Sequence, residues 1–444
     1  MPKVLILAYA FPPDSRIGAQ RPARLCRYLP QFGIEPIVVT VEQRYYKQAD
    51  MTCEIPAGVR IEYTKPIPHP FQFYAWWKKR GFNQRRNGTA NIEAPVPQAA
   101  WRLRDHIAWL FATPDPEITW YWPALRCVQR IMAEERVDAI FSTSPPHSVH
   151  LIGRTLKRKY GIPWLMDLRD PWAGRSGPDA PSWYHRVRWA LQSSCIRLSD
   201  VVVCTTDQFR EHLSGSYPGL PREKFRTLRN GFEDVQALVG PKPAADGRKH
   251  ILHLGELYGS RRVDTFCQAI QGLVSAGRLD SRSFQISFVG RNDSQHIDAA
   301  RRAAPSLFES GCIQFLPQVP REAALSMMWS ADLLLLVQGG FTMQVPAKFY
   351  EYLQSGRPIF AIARQGELCD LLRRTEAGIF VDPDDGEAIA AGFLEAWKLK
   401  PRLPQEVEQR WAKEFHFRHL AGTLAEWITV LTTAKNEFRG RAQS

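Results

Sequence analysis

The sequence predicts an α/β fold in which two doubly wound, Rossmann-like domains of parallel sheet face a central cleft. The chain has 444 residues, which is more than one compact core usually holds. Short apolar runs alternate with helical patterns, as is typical of parallel sheets. The alternation stops at residues 239–249, which are rich in Pro, Gly and Ala, and then restarts. Because this composition is typical of a linker, we place the domain boundary there.

The first domain is predicted to span residues 1–238. Its buried strands are predicted, in chain order, at 4–10, 34–40, 59–64, 137–143, 162–167 and 200–206. Helices are predicted between them at 16–31, 121–136, 147–160 and 183–198. The first run could also be the apolar part of a signal peptide, but two prolines follow it and no small-residue cleavage site does. A buried strand is therefore the better interpretation.

The second domain is predicted to span residues 250–404. Its strands are predicted at 249–257, 283–290, 312–317, 331–337, 357–363 and 377–382. Residues 405–444 predict one or two helices, which we expect to return to the first domain. Ligands of doubly wound sheets bind at the carboxyl ends of the strands, so two facing sheets favour a cleft enzyme or a hinged binding protein.

The positive charge of the chain is concentrated in its first half. The net charge is +13, and residues 1–200 hold 28 Lys and Arg against 17 Asp and Glu. Residues 201–444 hold 30 against 28. Such a field attracts an anionic partner, which could be a membrane surface, a phosphorylated lipid or a nucleic acid. No run approaches the ~18 apolar residues of a membrane span, so we expect a protein on the cytoplasmic side.

Residues 65–120 are predicted to form an insertion that faces a membrane or an acceptor. Residues 65–104 contain eight Lys and Arg, one acid and seven interleaved aromatic residues. This mixture suits a membrane interface, and it could also suit single-stranded nucleic acid. A solvated loop is the third alternative, but the aromatic residues count against it. We therefore expect docking on an anionic membrane surface.

The cysteine and histidine patterns do not predict a metal site or a disulfide framework. The eight cysteines are scattered and form no Cys-x-x-Cys pair. Three His-x-x-His pairs occur without the His-Glu-x-x-His form or a third ligand in step. They are His147 with His150, His250 with His253, and His416 with His419. We expect neither a metal nor a resident cofactor.

The stretch VPAKFYEYLQSGRPIFAIA, residues 345–363, predicts a short helix followed by a strand. Pro346 suits the first turn of a helix and Gly356 suits the position after its end. The helix N-terminus and Lys348 both favour an anion. Glu351 lies on the same face and can accept two hydrogen bonds from a diol such as a ribose. Anion and diol together describe a nucleotide, although a surface ion pair is the alternative.

The same stretch resembles the nucleotide-sugar motif of glycosyltransferase family 4, the retaining group 1 enzymes of the GT-B fold found in bacterial surface and exopolysaccharide clusters. That motif contains two glutamates separated by seven residues, and its second glutamate binds the ribose. Glu351 matches the second glutamate, whereas Met343 stands where the first would be. Half of the motif is therefore missing, and the resemblance leaves open a weak activity.

Two further stretches resemble the donor-binding motifs of this family. RNGFE resembles its Pro-Asn-Gly-x-Asp signature and points to Asn230. LHLGELYGSRRVD resembles the glycine loop and basic pair that hold the diphosphate, which implies roles for Gly255, Arg261 and Arg262. Glu256 replaces the arginine that usually follows the glycine. An ordinary strand end with solvated arginines is the alternative.

The segment after the first strand resembles the first strand–loop–helix of the family, whose glycines lie near the phosphate and the acceptor. Only Gly18 remains of the usual glycine pair. Arg16 and Arg21 could compensate electrostatically, or they could be exposed helix charges.

Catalytic residues are implied by FSTSPPHSVHLIG and IPWLMDLRDPWAG, which resemble transferases from surface-polysaccharide clusters. Asp167, Arg169 and Asp170 follow a predicted strand, where ligand residues belong. Arg169 falls where many relatives carry a histidine near the reacting sugar. A structural Arg–Asp pair is an equally good interpretation.

The resemblance implies a glycosyltransferase that moves a sugar from a nucleoside-diphosphate donor to a glycan or lipid-linked glycan, with retention and without a metal. Exopolysaccharide, O-antigen or capsule biosynthesis at the inner face of a membrane is the implied setting. The second domain would hold the donor and the basic first domain the acceptor. A catalytically weak nucleotide-binding scaffold of a polysaccharide assembly complex is the alternative. Nucleic acid is not an expected partner, because no recognition motif supports it.

Overall fold

Two parallel sheets, one in each half of the chain, form the framework of the molecule. The computed structural model describes residues 1–14, 16–46, 53–68, 113–173, 182–234 and 247–443. The strand orders are β3-β2-β1-β4-β5-β6-β7 and β10-β9-β8-β11-β12-β13. Within the described residues, all neighbouring strands of these sheets run parallel. Both orders reverse direction beside the first strand, which confirms two doubly wound domains.

The first sheet contains one strand more than the sequence predicts. Its strands are β1 Lys3–Ala8, β2 Glu35–Val41, β3 Arg60–Thr64, β4 Ala139–Ser144, β5 Trp164–Leu168, β6 Val201–Cys204 and β7 Phe225–Thr227. Its helices are α1 Ile17–Tyr28, α2 Tyr121–Glu134, α3 Ser148–Tyr160, α4 Ser182–Leu198 and α5 Asp207–Gly215. The short edge strand β7 was missed because three residues are too few to show a strand pattern.

The second sheet contains the six predicted strands. They are β8 Lys249–Leu254, β9 Phe284–Val289, β10 Ile313–Leu316, β11 Leu333–Val337, β12 Ile359–Ile362 and β13 Gly378–Val381. The helices are α6 Asp264–Ser275, α7 Ser294–Ala303, α8 Pro305–Glu309, α9 Arg321–Ser330, α10 Ala347–Gln354, α11 Glu367–Thr375, α12 Gly386–Ala396, α13 Pro404–Phe415 and α14 Phe417–Gln443. The apolar strands are buried because helices cover both faces of the sheet.

The last helix, α14, packs against the first domain. Its apolar side chains join the core formed by β1 and α1. The chain enters α14 beside the Asn-Gly motif, where the Phe232 N–H donates to the Phe415 carbonyl at 2.9 Å and the Phe417 N–H donates to the Phe232 carbonyl at 2.9 Å. A Cβ on Gly231 would overlap that Phe415 carbonyl. Gly231 is therefore required by a close approach of two backbone segments.

Several sequence predictions fall largely outside the described residues. The linker at 239–249 is described only from residue 247 onwards, and the insertion at 65–120 only at 65–68 and 113–120. Among the helices that the structure describes, none is long and apolar enough to cross a membrane.

Candidate active site

The carboxyl ends of the two sheets face each other, and the loop between β11 and α10 reaches from the second domain to the first. The Thr206 hydroxyl donates to the Met343 carbonyl at 2.5 Å. The Gln344 amide donates to the Asp170 carboxylate. The Met343 side chain, at the position of the missing glutamate, packs against the core of the first domain. This position therefore presents an apolar group where the family motif has a carboxylate.

The helix predicted around Lys348 is confirmed as α10, with Pro346 directly before its first residue. It ends as predicted, because Gly356 has a φ of +68° and a Cβ there would overlap the Arg402 carbonyl. The first turn of α10 lies close to the carboxyl end of β8, since the Lys348 ammonium donates to the Leu254 carbonyl. An anion at this place would meet both the ammonium and the positive end of the helix.

Lys348 and Gly255 together form a cradle at the end of β8. Gly255 has a φ of +149°, which other residues rarely adopt, and a Cβ there would overlap the Lys348 Nζ. Burial lowers the pKa of Lys348 to about 8, although the neighbouring Glu351 opposes this shift. Lys348 therefore remains mostly charged at neutral pH, in a site where little water screens it.

His253 belongs to the same cradle, although its sequence pattern did not predict a role there. Its Nδ1 lies 2.9 Å from the Leu335 carbonyl, which can only accept, so Nδ1 carries the proton. Its Nε2 is buried without a hydrogen-bond partner among the described residues. This nitrogen lies 3.5 Å from the place that a Cβ of residue 255 would occupy. Burial and the nearby Lys348 lower the pKa of His253 to about 3.

Glu351 lies one turn along α10 from Lys348, on the same face. Its Oε1 accepts hydrogen bonds from Arg24 at 3.0 Å and from Arg321 at 2.9 Å. Its Oε2 has no hydrogen-bond partner within the part of the chain that the structure describes. Burial alone would raise the pKa of Glu351, but Arg321 and Arg24 hold it at about 2. Glu351 is thus ionised, with one oxygen held and the other available.

The basic pair of the glycine loop separates in the structure. The Arg261 guanidinium lies over the Tyr258 ring, with 4.8 Å to its centroid, and it contributes to lowering the pKa of Lys348. Arg262 is exposed and forms an ion pair with Asp264. Arg261 is therefore the member of the pair that lies near the cradle, whereas the position of Arg262 favours the solvated-arginine interpretation.

Asp167 and Arg21 form a buried ion pair beneath the cleft. Arg21 donates to the two carboxylate oxygens of Asp167 at 3.0 and 3.1 Å, and both side chains are almost fully buried. Arg21 also donates to the Asn230 side chain at 3.1 Å and to the Leu228 carbonyl at 2.8 Å. This arrangement favours the structural alternative for Asp167 and places Asn230 in the same network. A catalytic role for Asp167 stays an untested prediction.

Arg169 lies against the first turn of α1, which contains Gly18. Its guanidinium donates to the carbonyls of Ser144 at 2.6 Å, Gly18 at 2.5 Å and Pro145 at 3.0 Å. Burial lowers the pKa of Arg169 to about 10. A Cβ on Gly18 would lie 3.0 Å from this guanidinium. Arg16, predicted to compensate for a missing glycine, instead forms an ion pair with Asp14 at 2.5 Å.

One group of described residues, Asp234, Glu408 and His416, could bring three ligand atoms within 4.8 Å of one another. His416 Nδ1 accepts a hydrogen bond from the Arg418 N–H at 3.1 Å, so the proton of the neutral ring is on Nε2. That Nε2–H donates to Asp234 at 3.1 Å. In this arrangement the ring has no free lone pair for a metal.

Two family models match the chain. The Glycosyl transferase 4-like domain matches residues 18–231, and Glycosyl transferases group 1 matches residues 248–398. The two matches follow the two sheets and together span most of the chain. The chain therefore belongs to the group 1 glycosyltransferases of family 4, and its two facing domains are those of the GT-B fold.

Solved structures of similar fold cover nearly the whole chain at low sequence identity. A glycosyltransferase from Rickettsia africae is 12% identical, covering 97% of this chain and 98% of that one, with a TM-score of 0.62. HepE from Anabaena, in complex with UDP and glucose, is 12% identical, covering 99% and 100%, with a TM-score of 0.55. WaaG, a glycosyltransferase involved in lipopolysaccharide biosynthesis, is 14% identical, covering 96% and 99%, with a TM-score of 0.56. No curated protein sequence matches the chain.

Proposed function

We propose that this glycosyltransferase moves a sugar from a nucleoside-diphosphate donor to a glycan or lipid-linked glycan acceptor, with retention, in bacterial polysaccharide biosynthesis. The observation that carries the proposal is the arrangement on α10. Lys348 lies over Gly255 at one end, and the free oxygen of Glu351 lies one helical turn further on. Residues three apart on a helix lie ~5–6 Å apart, which suits the phosphate and ribose of one nucleotide.

The second domain would bind the donor through these groups. The diphosphate would lie against Lys348 and the first turn of α10, where Gly255 lets the backbone approach it. The ribose would donate a hydroxyl to Oε2 of Glu351, whose other oxygen Arg24 and Arg321 keep in place. Because Arg24 belongs to the first domain, this ion pair also connects donor binding to the relative position of the domains.

Departure of the nucleoside diphosphate requires positive charge close to its leaving oxygen. Lys348 and the α10 N-terminus supply fixed charge in a site of low water content, where it acts more strongly than in bulk water. Arg261 adds a second cation nearby. We therefore propose a metal-independent reaction in which side chains hold the developing negative charge.

Two similar structures support the donor and the pathway. HepE contains UDP and glucose, and WaaG is involved in lipopolysaccharide biosynthesis. Asp170 is the member of the predicted catalytic group that contacts the second domain, through Gln344. We propose that Asp170 faces the transferred sugar and that Arg169 keeps the first turn of α1, at Gly18, in position beside it.

Docking on an anionic membrane surface is part of the proposal. Trp122 is 59% exposed and Ile67 is 49% exposed. Lys65, Arg126 and Arg130 surround them on the same face of the first domain. Aromatic and apolar groups ringed by basic ones suit a lipid headgroup layer. Cosedimentation with anionic and neutral vesicles tests this, and equal binding to both would contradict it.

Release of nucleoside diphosphate from a panel of nucleotide sugars tests the proposed function. We expect one donor to be consumed when a lipid-linked glycan acceptor is supplied, and Lys348→Met to lower the rate of consumption by ~10²–10³-fold. Glu256→Gln is the matched control, because Glu256 follows Gly255 but is 43% exposed and turned towards Arg291 at 4.0 Å. Binding of a nucleotide without any transfer would favour the scaffold, which the apolar Met343 supports.

A further inference from the structure

The cradle at the end of β8 contains a group that the reaction as proposed does not use. His253 is 3% exposed, and its Nε2 has no hydrogen-bond partner among the described residues. An unpaired polar atom in such a place is unfavourable unless a ligand completes it. The neighbouring groups are those of an anion site, since Lys348 and Gly255 meet at the same point.

We propose that His253 is a diphosphate-binding residue that takes up one proton when the nucleoside diphosphate binds. Its Nε2–H would then donate to a diphosphate oxygen, while its Nδ1–H remains on the Leu335 carbonyl. The proton comes from the solvent, and no covalent bond changes. This assignment rests on the proposed function, because it needs a diphosphate in the cradle.

The tautomer makes proton uptake necessary for this contact. The Leu335 carbonyl fixes the ring proton on Nδ1, at 2.9 Å, so Nε2 carries only a lone pair in the empty protein. A lone pair would repel a phosphate oxygen. The contact becomes favourable only when Nε2 also carries a proton, which makes the ring a cation with both nitrogens donating.

The charges around the ring keep His253 neutral until an anion arrives. Lys348 from α10 and Arg261 from the loop after β8 both disfavour a positive charge on the His253 ring, and so does burial. Glu256 and Glu351 raise the pKa of Lys348 and so favour its charged form. The two neighbouring strands contribute uncharged groups. The Phe288 ring of β9 lies 6.0 Å from the His253 ring between centroids, and β11 contributes the Leu335 carbonyl.

A bound diphosphate reverses this balance. One negative charge at ~3 Å, with an effective dielectric constant of ~20, raises the pKa of a neighbouring group by about four units. A nucleoside diphosphate brings more than one negative charge at neutral pH. The bound diphosphate is thus able to convert His253 from a neutral ring to a cation at pH 7. That cation supplies positive charge near Glu256, which replaces the arginine of the family motif.

Calorimetric titration of the wild-type protein with UDP, GDP and ADP at pH 7 tests the assignment. The binding heat is measured in MOPS and in Tris, whose ionisation enthalpies differ, so the difference gives the number of protons taken up. We expect uptake approaching one proton per nucleotide bound. Lys348 is already mostly charged at this pH, so it contributes only about a tenth of a proton.

His253→Gln and His250→Gln form a matched pair of variants. Glutamine keeps a side-chain N–H near the cradle but does not titrate, so we expect binding weaker by about tenfold and proton uptake reduced to the small contribution of Lys348. His250 lies three residues earlier on β8, and side chains three apart point to opposite faces of a strand, so its variant should behave like the wild type.

The outcomes separate the two levels of the proposal. Nucleotide binding without proton uptake, or the same uptake in His253→Gln, would overturn the role of His253 and leave the proposed function intact. Failure of all three nucleotides to bind the wild-type protein would overturn the proposed function and, with it, this assignment.

Discussion

The two walls of the cleft use their charged side chains differently. On the wall of the first domain, Arg21, Asp167 and Arg169 are occupied by one another or by backbone carbonyls. Among the described residues, Lys348 on the wall of the second domain donates to one backbone carbonyl, Glu351 accepts hydrogen bonds at Oε1 but not at Oε2, and His253 Nε2 has no partner. These three residues of the first wall have their partners within the protein, whereas those of the second wall leave acceptor positions open in the part of the chain that the structure describes.

This difference distinguishes groups that hold the architecture from groups that bind a substrate. A buried ion pair with every partner present gives little reason to infer a ligand. A buried polar atom without a partner, such as His253 Nε2, needs an explanation, and beside a charged side chain with a lowered pKa it points to a binding site. Binding of the donor nucleotide is therefore expected to depend on these residues of the second domain, whereas stability is expected to depend on the buried ion pair of the first.

The largest effect is expected from Lys348→Met. Methionine keeps the length of the side chain but removes the charge that stabilises the leaving diphosphate. Removal of one such group typically lowers the rate by ~10²–10³-fold. Steady-state transfer kinetics, with the donor that the panel of nucleotide sugars identifies, measure this effect. A transfer rate within threefold of the wild type would show that Lys348 does not stabilise the leaving diphosphate.

Arg21→Met should affect stability rather than nucleotide binding. The change leaves the Asp167 carboxylate buried without its partner, which typically costs ~3–5 kcal/mol of unfolding free energy. Denaturant unfolding should show this loss, whereas the nucleotide affinity of the folded fraction should remain unchanged. Arg262→Met, which removes an exposed ion pair, is the control and should change stability by less than ~1 kcal/mol.

A loss of nucleotide affinity in Arg21→Met, at a temperature where the protein is folded, would contradict the division between the walls. It would also restore the interpretation that Arg21 lies near the phosphate.

Glu351→Gln should weaken nucleotide binding by about tenfold. A hydrogen bond from a ribose hydroxyl to a carboxylate is worth ~1.5–3 kcal/mol, and glutamine keeps only part of it. Titration with the nucleoside diphosphate and with inorganic pyrophosphate separates the two ends of the site. Pyrophosphate affinity should not fall, and an equal loss for both ligands would show that Glu351 does not contact the ribose.

The last effect is a pH dependence of stability. The pKa of Lys348 is about 8 in the folded protein, below its ordinary value of 10.5. Between these two pH values the unfolded chain binds the proton and the folded protein does not, so the free energy of unfolding rises with pH. The stability of the wild type relative to Lys348→Met should therefore increase from pH 8 towards pH 10. An unchanged difference would show that Lys348 is not buried.

Much of the fold could be predicted because apolar strands and helical segments alternate clearly. The two doubly wound sheets follow from that alternation, and the helix predicted within residues 345–363 is α10, which begins one residue after Pro346 and ends before Gly356. Gly255 and Lys348 were identified from their motifs, and the structure brings them into contact. These features depend on local patterns, which a single sequence shows directly.

The remaining site features depend on contacts between distant residues. The sequence alone could not show that Arg24 and Arg321 hold Glu351, or that Arg21 turns towards Asp167. The sequence showed His253 as a member of a His-x-x-His pair and as the residue two positions before the glycine, and neither observation indicates a phosphate-binding role. The structure is needed to show that the Leu335 carbonyl fixes the tautomer of His253, and that its Nε2 has no partner among the described residues.

The central claim is that the second domain binds the diphosphate of the donor. Thermal unfolding with millimolar nucleoside diphosphate and with the corresponding nucleoside tests this claim most directly. A ligand at a hundred times its dissociation constant adds ~2.7 kcal/mol to the stability of the folded state. We expect one diphosphate among UDP, GDP and ADP to raise the unfolding temperature of the wild type, its nucleoside to raise it much less, and Lys348→Met to lose the difference. Equal stabilisation of both proteins by the diphosphate, or none by any of the three, would contradict the assignment of the diphosphate to the second domain.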